Sequence, residues 1–536
     1  MKKLSLIAGC LFLLLQSFAQ PKIAPEKPKL IIGILVENFR PEYLQNYQKG
    51  LSKNGLLKLF QEGTSGNHLQ YRYLIRQSLP AYATLVTGAN PNTHGIVANQ
   101  WYDKRSDKMQ DACFDERFKT VGNSVYSGKL SPANLLIPTV FDKLKVSLAG
   151  KSKLIAIAPE MNTATLMGGY AANQAYFFDD RTGNWVSNSY YDSTLPAWVN
   201  QFNQKKIADI YMKKEWSKLL DKSYYPDEFD QNLYEKGIQG KVNFPYLLEK
   251  LGDKDYKLLS KTPYGSNLSF DFANNCLLNE GMGKDAYPDV LLISINSFAQ
   301  AEPVFSPYSD EIADLVYRLD KDVENLLQFV NQEVGEENCL IFLTSTGVNP
   351  TPAEISKSLK LPAGEFDPSR MITLLKAYLN AEYGAGEWLL KYSNQQLFLN
   401  QELIKSSKLS SIDFNEKVVD ILMEMSAISY ANTSINLKNL EYHLGVNELM
   451  QASFYPERSG DVFIQFRPGY QEIKSLSNPI EPYAPTDVPF AFYGWKIKRQ
   501  KILRPVSATE ISSVILELLN IPGQTSEKLP LEEMLK

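Results

Sequence analysis

Imidazole is the side chain that most often moves protons or holds a transition metal near neutral pH. This chain of 536 residues has three histidines, at 68, 94 and 443, and none has a clustered partner. Its four cysteines have no CxxC spacing and no neighbouring histidine, so they do not form the ligand pattern of a structural zinc site. Carboxylates are plentiful: 60 Asp and Glu stand against 56 Lys and Arg, a formal net charge of −4. Such a mildly acidic chain lacks the basic footprint of a nucleic-acid binder. Glu37 directly follows the apolar run 30–36. With Asp487 it could form a weak oxygen site for Ca²⁺ or Mg²⁺, if further oxygens joined them.

The elements that must position these groups are legible from hydrophobic patterning. Runs at 30–36, 154–158, 290–295, 340–343 and 488–493 are nearly continuous in apolar residues, as strands covered on both faces are. Residues 311–330 carry Ile312, Leu315, Val316, Leu319, Val323, Leu326, Leu327 and Val330 at mostly helical spacing. Ser507-Ala508-Thr509-Glu510 reads as a capping box opening another helix. Alternating strands and helices predict an α/β sandwich with a mostly parallel sheet, whose ligand sites lie beyond the carboxyl ends of the strands. Apolar residues make up 44% and charged residues 22%, the balance of a globular protein. Two stretches, about 200–285 and 351–480, read as cap insertions on that core. Tyrosine-rich segments, Tyr190-Tyr191 and Tyr224-Tyr225, are expected to pack the caps, with a protein or glycan contact surface as the alternative.

At the N-terminus, Lys2-Lys3, an apolar stretch from Leu4 to Leu15, and Ser17-Phe18-Ala19 have the layout of a secretory signal peptide, residues 1–19. Leu6-Ile7-Ala8-Gly9-Cys10 offers a lipobox-like alternative. No stretch reaches the ~18 apolar residues of a membrane span. Residues 20–536 are thus expected as one exported domain, periplasmic or held at an outer surface, with three cysteines and at most one internal disulfide.

Two segments carry a resemblance to a known family. One is Gly33-Ile34-Leu35-Val36-Glu37-Asn38-Phe39-Arg40. The other runs from Thr87-Gly88-Ala89-Asn90-Pro91 through Thr93-His94-Gly95-Ile96-Val97 to Asn99-Gln100-Trp101-Tyr102-Asp103. Together they resemble the alkaline phosphatase superfamily, in the branch of bacterial alkaline phosphatases and nucleotide pyrophosphatase/phosphodiesterases. Tyr176-Phe177-Phe178-Asp179-Asp180, Thr262-Pro263-Tyr264-Gly265, Tyr317-Arg318-Leu319-Asp320 and Pro489-Phe490-Ala491-Phe492-Tyr493-Gly494 agree in order. The resemblance implies an alkaline phosphatase-like α/β/α sandwich. It also implies two zinc ions about 4 Å apart that activate a Thr or Ser oxygen, held by three Asp and three His.

Carried over position by position, the resemblance puts Glu37 where the first Asp ligand stands and Ser78 where the nucleophile stands. Asn99 is kept and would face the phosphoryl group in a working relative. The next Asp and His fall on Ala299 and Pro303, the following pair on Thr346 and Gly347, and the last His on Asp487. Only Glu37 and Asp487 among the six could donate a charged oxygen. The positions of a phosphate-contacting Lys and Arg hold Glu160 and Asn162. Arg40 and Arg76 could meet an anion or be paired with carboxylates.

The resemblance therefore implies a degenerate member. The leading expectation is a secreted pseudoenzyme with no cofactor, working as a binding or scaffold subunit with other envelope proteins. One alternative is a phosphoesterase rebuilt around Glu37, Ser78, Asn99 and Asp487; another is a module whose old pocket captures an anion or glycan. Without a metal or adjacent base the Ser78 hydroxyl is a weak nucleophile. His94 is expected to pack and hydrogen-bond.

Overall fold

The run Leu30–Val36 is buried at all seven positions, which a strand allows only with both faces covered. It is the centre of the sheet in the computed structural model. The structure describes residues 26–225, 235–252, 254–350, 353–358, 360–472, 487–522 and 534–535. The expected signal segment, the lipobox-like Cys10 and Thr486 lie outside these.

Eight strands make the body of the main sheet: β1 (Leu30–Val36), β2 (Thr64–Gln70), β3 (Leu154–Ala158), β4 (Gln174–Asp179), β5 (Asn184–Asn188), β6 (Asp289–Ile295), β7 (Cys339–Ser345) and β8 (Val488–Gly494). Their order is β2-β8-β7-β1-β6-β3-β4-β5, with short edge strands at 120–121, 500–502 and 506–507. β1 pairs in parallel with β6 and β7, β6 with β3, and β3 with β4. β8 is antiparallel to both β7 and β2, and β5 to β4. The sheet is mostly parallel, as expected.

Successive side chains of a strand point to opposite faces. Leu30, Ile32, Ile34 and Val36 enter one core, while Ile31 and Leu35 enter the other. Each fully buried side chain of this size contributes about 1.5–3 kcal/mol. At Gly33 the β7 ring of Phe342 and the β6 side chain of Leu292 occupy the space that a Cβ would need.

Labelled in chain order, the helices that matter to the site or the core are α1 (Ser78–Thr87), α2 (Met161–Gly168), α3 (Pro263–Asn279), α4 (Ser297–Phe305), α5 (Asp310–Glu333) and α6 (Ala508–Leu518). α3 and α5 cover one face through Leu268, Phe272, Ile312 and Val316. α1 and α6 cover the other through Ala81, Leu85, Ile511 and Val514. The capping box at α6 is formed as read, Ser507 and Glu510 each bonding the other's backbone N–H. α5 starts one residue before the expected span and ends three after it, at Glu333.

Within the stretch 200–285, Glu215–Trp216 pairs with Tyr246–Leu247 around the buried Trp216. The helix α3 of the same stretch packs into the main core rather than a cap. Residues 366–466 hold a third core of their own. It lies on an antiparallel four-stranded sheet of residues 389–393, 396–399, 462–466 and 428–433, in that order. The tyrosine-rich segments divide. Tyr225 is buried with its hydroxyl on Asp314, and Tyr191 bonds the carbonyls of Thr165 and Gly169. Tyr224 remains exposed.

Cys113, Cys276 and Cys339 are all buried and free. Among the described residues, no helix is long and apolar enough to cross a membrane.

Candidate functional site

The site is built from the loops and helix starts beyond the carboxyl ends of the parallel strands. After β1, the chain turns at Asn38, in the left-handed region at φ 61°. The Asn38 side-chain oxygen accepts a hydrogen bond from the backbone N–H of Asn349 in the loop after β7. Glu37 is thereby held between the ends of β6 and β7; its N–H donates to Ile295 O at 2.8 Å. Its side chain is buried. Burial, then the negative charge of Glu160, push its carboxyl up to about 8, against a hydrogen bond from Tyr82. Tyr82 comes one helical turn after Ser78, and its hydroxyl lies 2.5 Å from Ser294 Oγ. Near neutral pH the Glu37 carboxyl is therefore mostly protonated, with the Tyr82 hydroxyl beside it.

Ser78 is the first residue of α1 and half-buried. Asn99 frames it: the Asn99 side-chain oxygen accepts from Leu79 N–H at 2.9 Å, and its Nδ2 reaches Ser78 Oγ at 3.4 Å. Asn99 N–H donates to Gln77 Oε1 at 2.6 Å, and Gln77 Nε2 donates to Asn394 Oδ1 at 3.0 Å, in the hairpin of the third core. The structure thus brings Ser78 and Asn99 together. The Ser78 hydroxyl has no imidazole or carboxylate partner among the described residues, so nothing at hand withdraws its proton.

The other positions carry little ligand chemistry. Ala299 and Pro303 lie on α4, Pro303 within the helix and exposed. Thr346 is buried, and its N–H faces Val36 O at 3.4 Å. Gly347 offers only its backbone, whose carbonyl accepts from Ser345 Oγ at 2.9 Å. Asp487 does not join Glu37 in a shared oxygen site. It accepts from Gln70 Nε2 at 2.7 Å and stands 2.6 Å from His68 Nδ1, on the half-exposed side of β2.

Glu160 precedes α2 as its N-cap and is solvent-accessible at the wall of a cleft, with Asn296 Nδ2 at 3.4 Å. The protein around it raises its carboxyl. Asn162, in the first turn of α2, has its side-chain oxygen buried without a protein partner. Arg40 is not available to an anion. It is buried and clamps Glu302 through two 3.0 Å bonds, with Asn349 O at 2.8 Å. Arg76 directs its Nε to Tyr73 O at 3.4 Å.

The three histidines are all accounted for. His94 is fully buried; its Nε2 meets Thr84 Oγ1 at 3.2 Å and its Nδ1 accepts from Ile96 N–H at 3.1 Å. Burial, helped by the Arg458 charge, lowers it to about 3, so it stays neutral. His68 is with Asp487, and His443 is exposed, 4.0 Å from Glu441. Among the described residues no three His, Cys, Asp or Glu side chains come close enough to share a metal ion. A zinc pair needs imidazole and carboxylate in a compact set. Ala299, Pro303 and Gly347 have no donor side-chain atom, and Asp487 is engaged elsewhere, so this donor set does not fit the pair.

Sequence reasoning does not single out Tyr82, Ser294 or Asn296. Each had a signal: Tyr82 shares the helix face of Ser78 at i+4, and Ser294 and Asn296 bracket the end of a buried strand.

The mostly parallel α/β sandwich thus carries a serine on a helix N-terminus beside an amide, and a buried carboxyl at the end of its central strand. Residues 31–481 match the family model described as type I phosphodiesterase / nucleotide pyrophosphatase. The chain belongs to that family, and with it to the alkaline phosphatase superfamily. It is 28% identical to alkaline phosphatase PhoV of Synechococcus elongatus over 515 residues, 94% of this chain and 93% of that one. It is 27% identical to alkaline phosphatase PafA of Elizabethkingia meningoseptica, covering 94% and 93% of the two chains. The crystal structure of wild-type PafA superposes with a TM-score of 0.87 at 26% identity, over 97% of this chain and 100% of that one. Murine ectonucleotide pyrophosphatase / phosphodiesterase 5, at 12% identity and a TM-score of 0.54 over 94% of this chain and 99% of that one, shares the fold.

Proposed function

We propose that this chain is a non-hydrolytic member of its family, exported to the cell envelope, where it binds rather than cleaves. The observation that carries the reading is the donor set: four of the six family ligand positions hold Ala299, Pro303, Thr346 and Gly347, and of the three imidazoles only His68 touches one of the six, Asp487. Glu160 in place of a phosphate-contacting lysine supports it, because a carboxylate there repels a phosphate dianion. On this reading the protein carries no zinc pair, and its partners are other envelope proteins of the periplasm or outer surface.

The test is metal content by plasma mass spectrometry together with turnover of p-nitrophenyl phosphate and bis-p-nitrophenyl phosphate. The expected result is zinc well below one per chain and no turnover. Two zinc ions per chain, with turnover abolished by chelator, would reject the proposal. The retained Ser78–Asn99 geometry favours a second reading, a phosphoesterase rebuilt on Ser78, Asn99 and Glu37. Turnover that survives Ser78→Ala unchanged removes that reading.

A further inference from the structure

A cleft of about 380 Å³ opens beyond the carboxyl ends of three adjacent parallel strands, β6, β3 and β4. This is where sheets of this kind take ligands, and the volume suits a small organic molecule. Glu160 and Asp180, just past the ends of β3 and β4, supply carboxylates from the sheet side. The short helix Tyr256–Lys261 faces them and supplies Lys257 and Lys261.

The charges are not spent on each other. Glu160 has Asn296 on one oxygen, and Asp180 has the Tyr126 hydroxyl on one oxygen at 2.6 Å. Lys257 and Lys261 have no ion-pair partner among the described residues. The cleft also has an aromatic surface lined by Phe178, Tyr256 and Trp185. Trp185 stacks on Phe272 with ring centroids 4.5 Å apart. Trp185 is 1% exposed, and its indole N–H has no acceptor among the described residues.

Two carboxylates and two ammonium groups make the cleft neutral overall but dipolar. A phosphate dianion would meet the carboxylates, and a simple cation would meet the lysines. A ligand of zero net charge with its own charges separated complements both walls. We propose that this cleft binds a zwitterionic ligand the size of an amino acid or short peptide. Its ammonium lies against Glu160 and Asp180, its carboxylate against Lys257 and Lys261, and its apolar body on the aromatic surface. This names a ligand class for the binding reading above and rests on it.

Isothermal titration calorimetry on the mature chain tests it. The probes are L-phenylalanine and the dipeptide Phe-Ala, with phenethylamine and 3-phenylpropionate as analogues lacking one charge, and phenyl phosphate as the counter-probe. The expected result is binding of a zwitterion at least tenfold tighter than either analogue. Tighter binding of phenylalanine assigns a free amino acid; tighter binding of Phe-Ala assigns a peptide. Glu160→Gln should weaken the zwitterion and phenethylamine at least fivefold and leave 3-phenylpropionate unchanged. Lys261→Met should weaken the zwitterion and 3-phenylpropionate at least fivefold and leave phenethylamine unchanged, both variants being checked for native circular dichroism. No binding of either zwitterion, equal binding of the single-charge analogues, or tighter binding of phenyl phosphate overturns the proposal. Zinc and turnover are read on the same preparation. In a zinc-free, inactive protein, failure to bind the probes removes only the ligand class, whereas stoichiometric zinc with turnover removes the binding reading itself.

Discussion

Glu37 is the buried carboxyl that follows the central strand. Its folded-state carboxyl, at about 8, lies above the ordinary value of 4.5. A group raised in this way contributes stability that is whole below its unfolded value, is lost progressively as pH climbs between the two, and is gone above about 8. Glu37→Gln keeps the shape of the neutral acid and removes its titration. Urea unfolding at a series of pH values should find the variant gaining on the wild type from about pH 5 to about pH 8. Parallel profiles would mean that Glu37 is ionised and solvated in the folded chain. Glu37, Ser78 and Asn99 were reached in the sequence through the family resemblance, residue by residue, and the structure brings Ser78 and Asn99 together. The partners of Asp487 and Arg40 were not legible there. Which side chains meet Asp487 depends on β2 lying beside β8, and the clamp on Glu302 depends on α4 folding back over β1. Patterning along one segment carries no information about either meeting.

At the scale of elements, the strand runs and the α6 capping box were legible because periodicity and caps are local. The antiparallel course of β8 was not, since an apolar run reads the same in both directions. Nor was the membership of α3 in the main core, because its surrounding composition resembles that of a cap. Gly33 shows how tightly these elements close. Adding one methyl there drives a Cβ into Phe342 and Leu292, and overpacking of this kind costs about 1–3 kcal/mol. Gly33→Ala should lower the urea midpoint by that amount of stability without changing the slope. An unchanged midpoint would mean that β7 can draw away from β1 freely.

At the scale of the whole molecule, the main sandwich holds two extensive cores, whereas residues 366–466 hold a third, and a small cluster of Leu74, Ile75 and Ala98 with Leu437, Met450 and Phe454 ties it to α1's approach. Regions with fewer buried contacts open at lower free energy. Native-state hydrogen exchange should therefore release strands 428–433 and 462–466 before β1, β6 and β7. Simultaneous release would mean that the two bodies unfold as one. The three thiols add a consequence for handling the molecule. Cys113, Cys276 and Cys339 are sealed in the interior with their thiols pushed well above the usual range by burial, so none of these three described cysteines offers a thiolate to an oxidant. A dimer linked through any of them on a non-reducing gel marks chains that had come open.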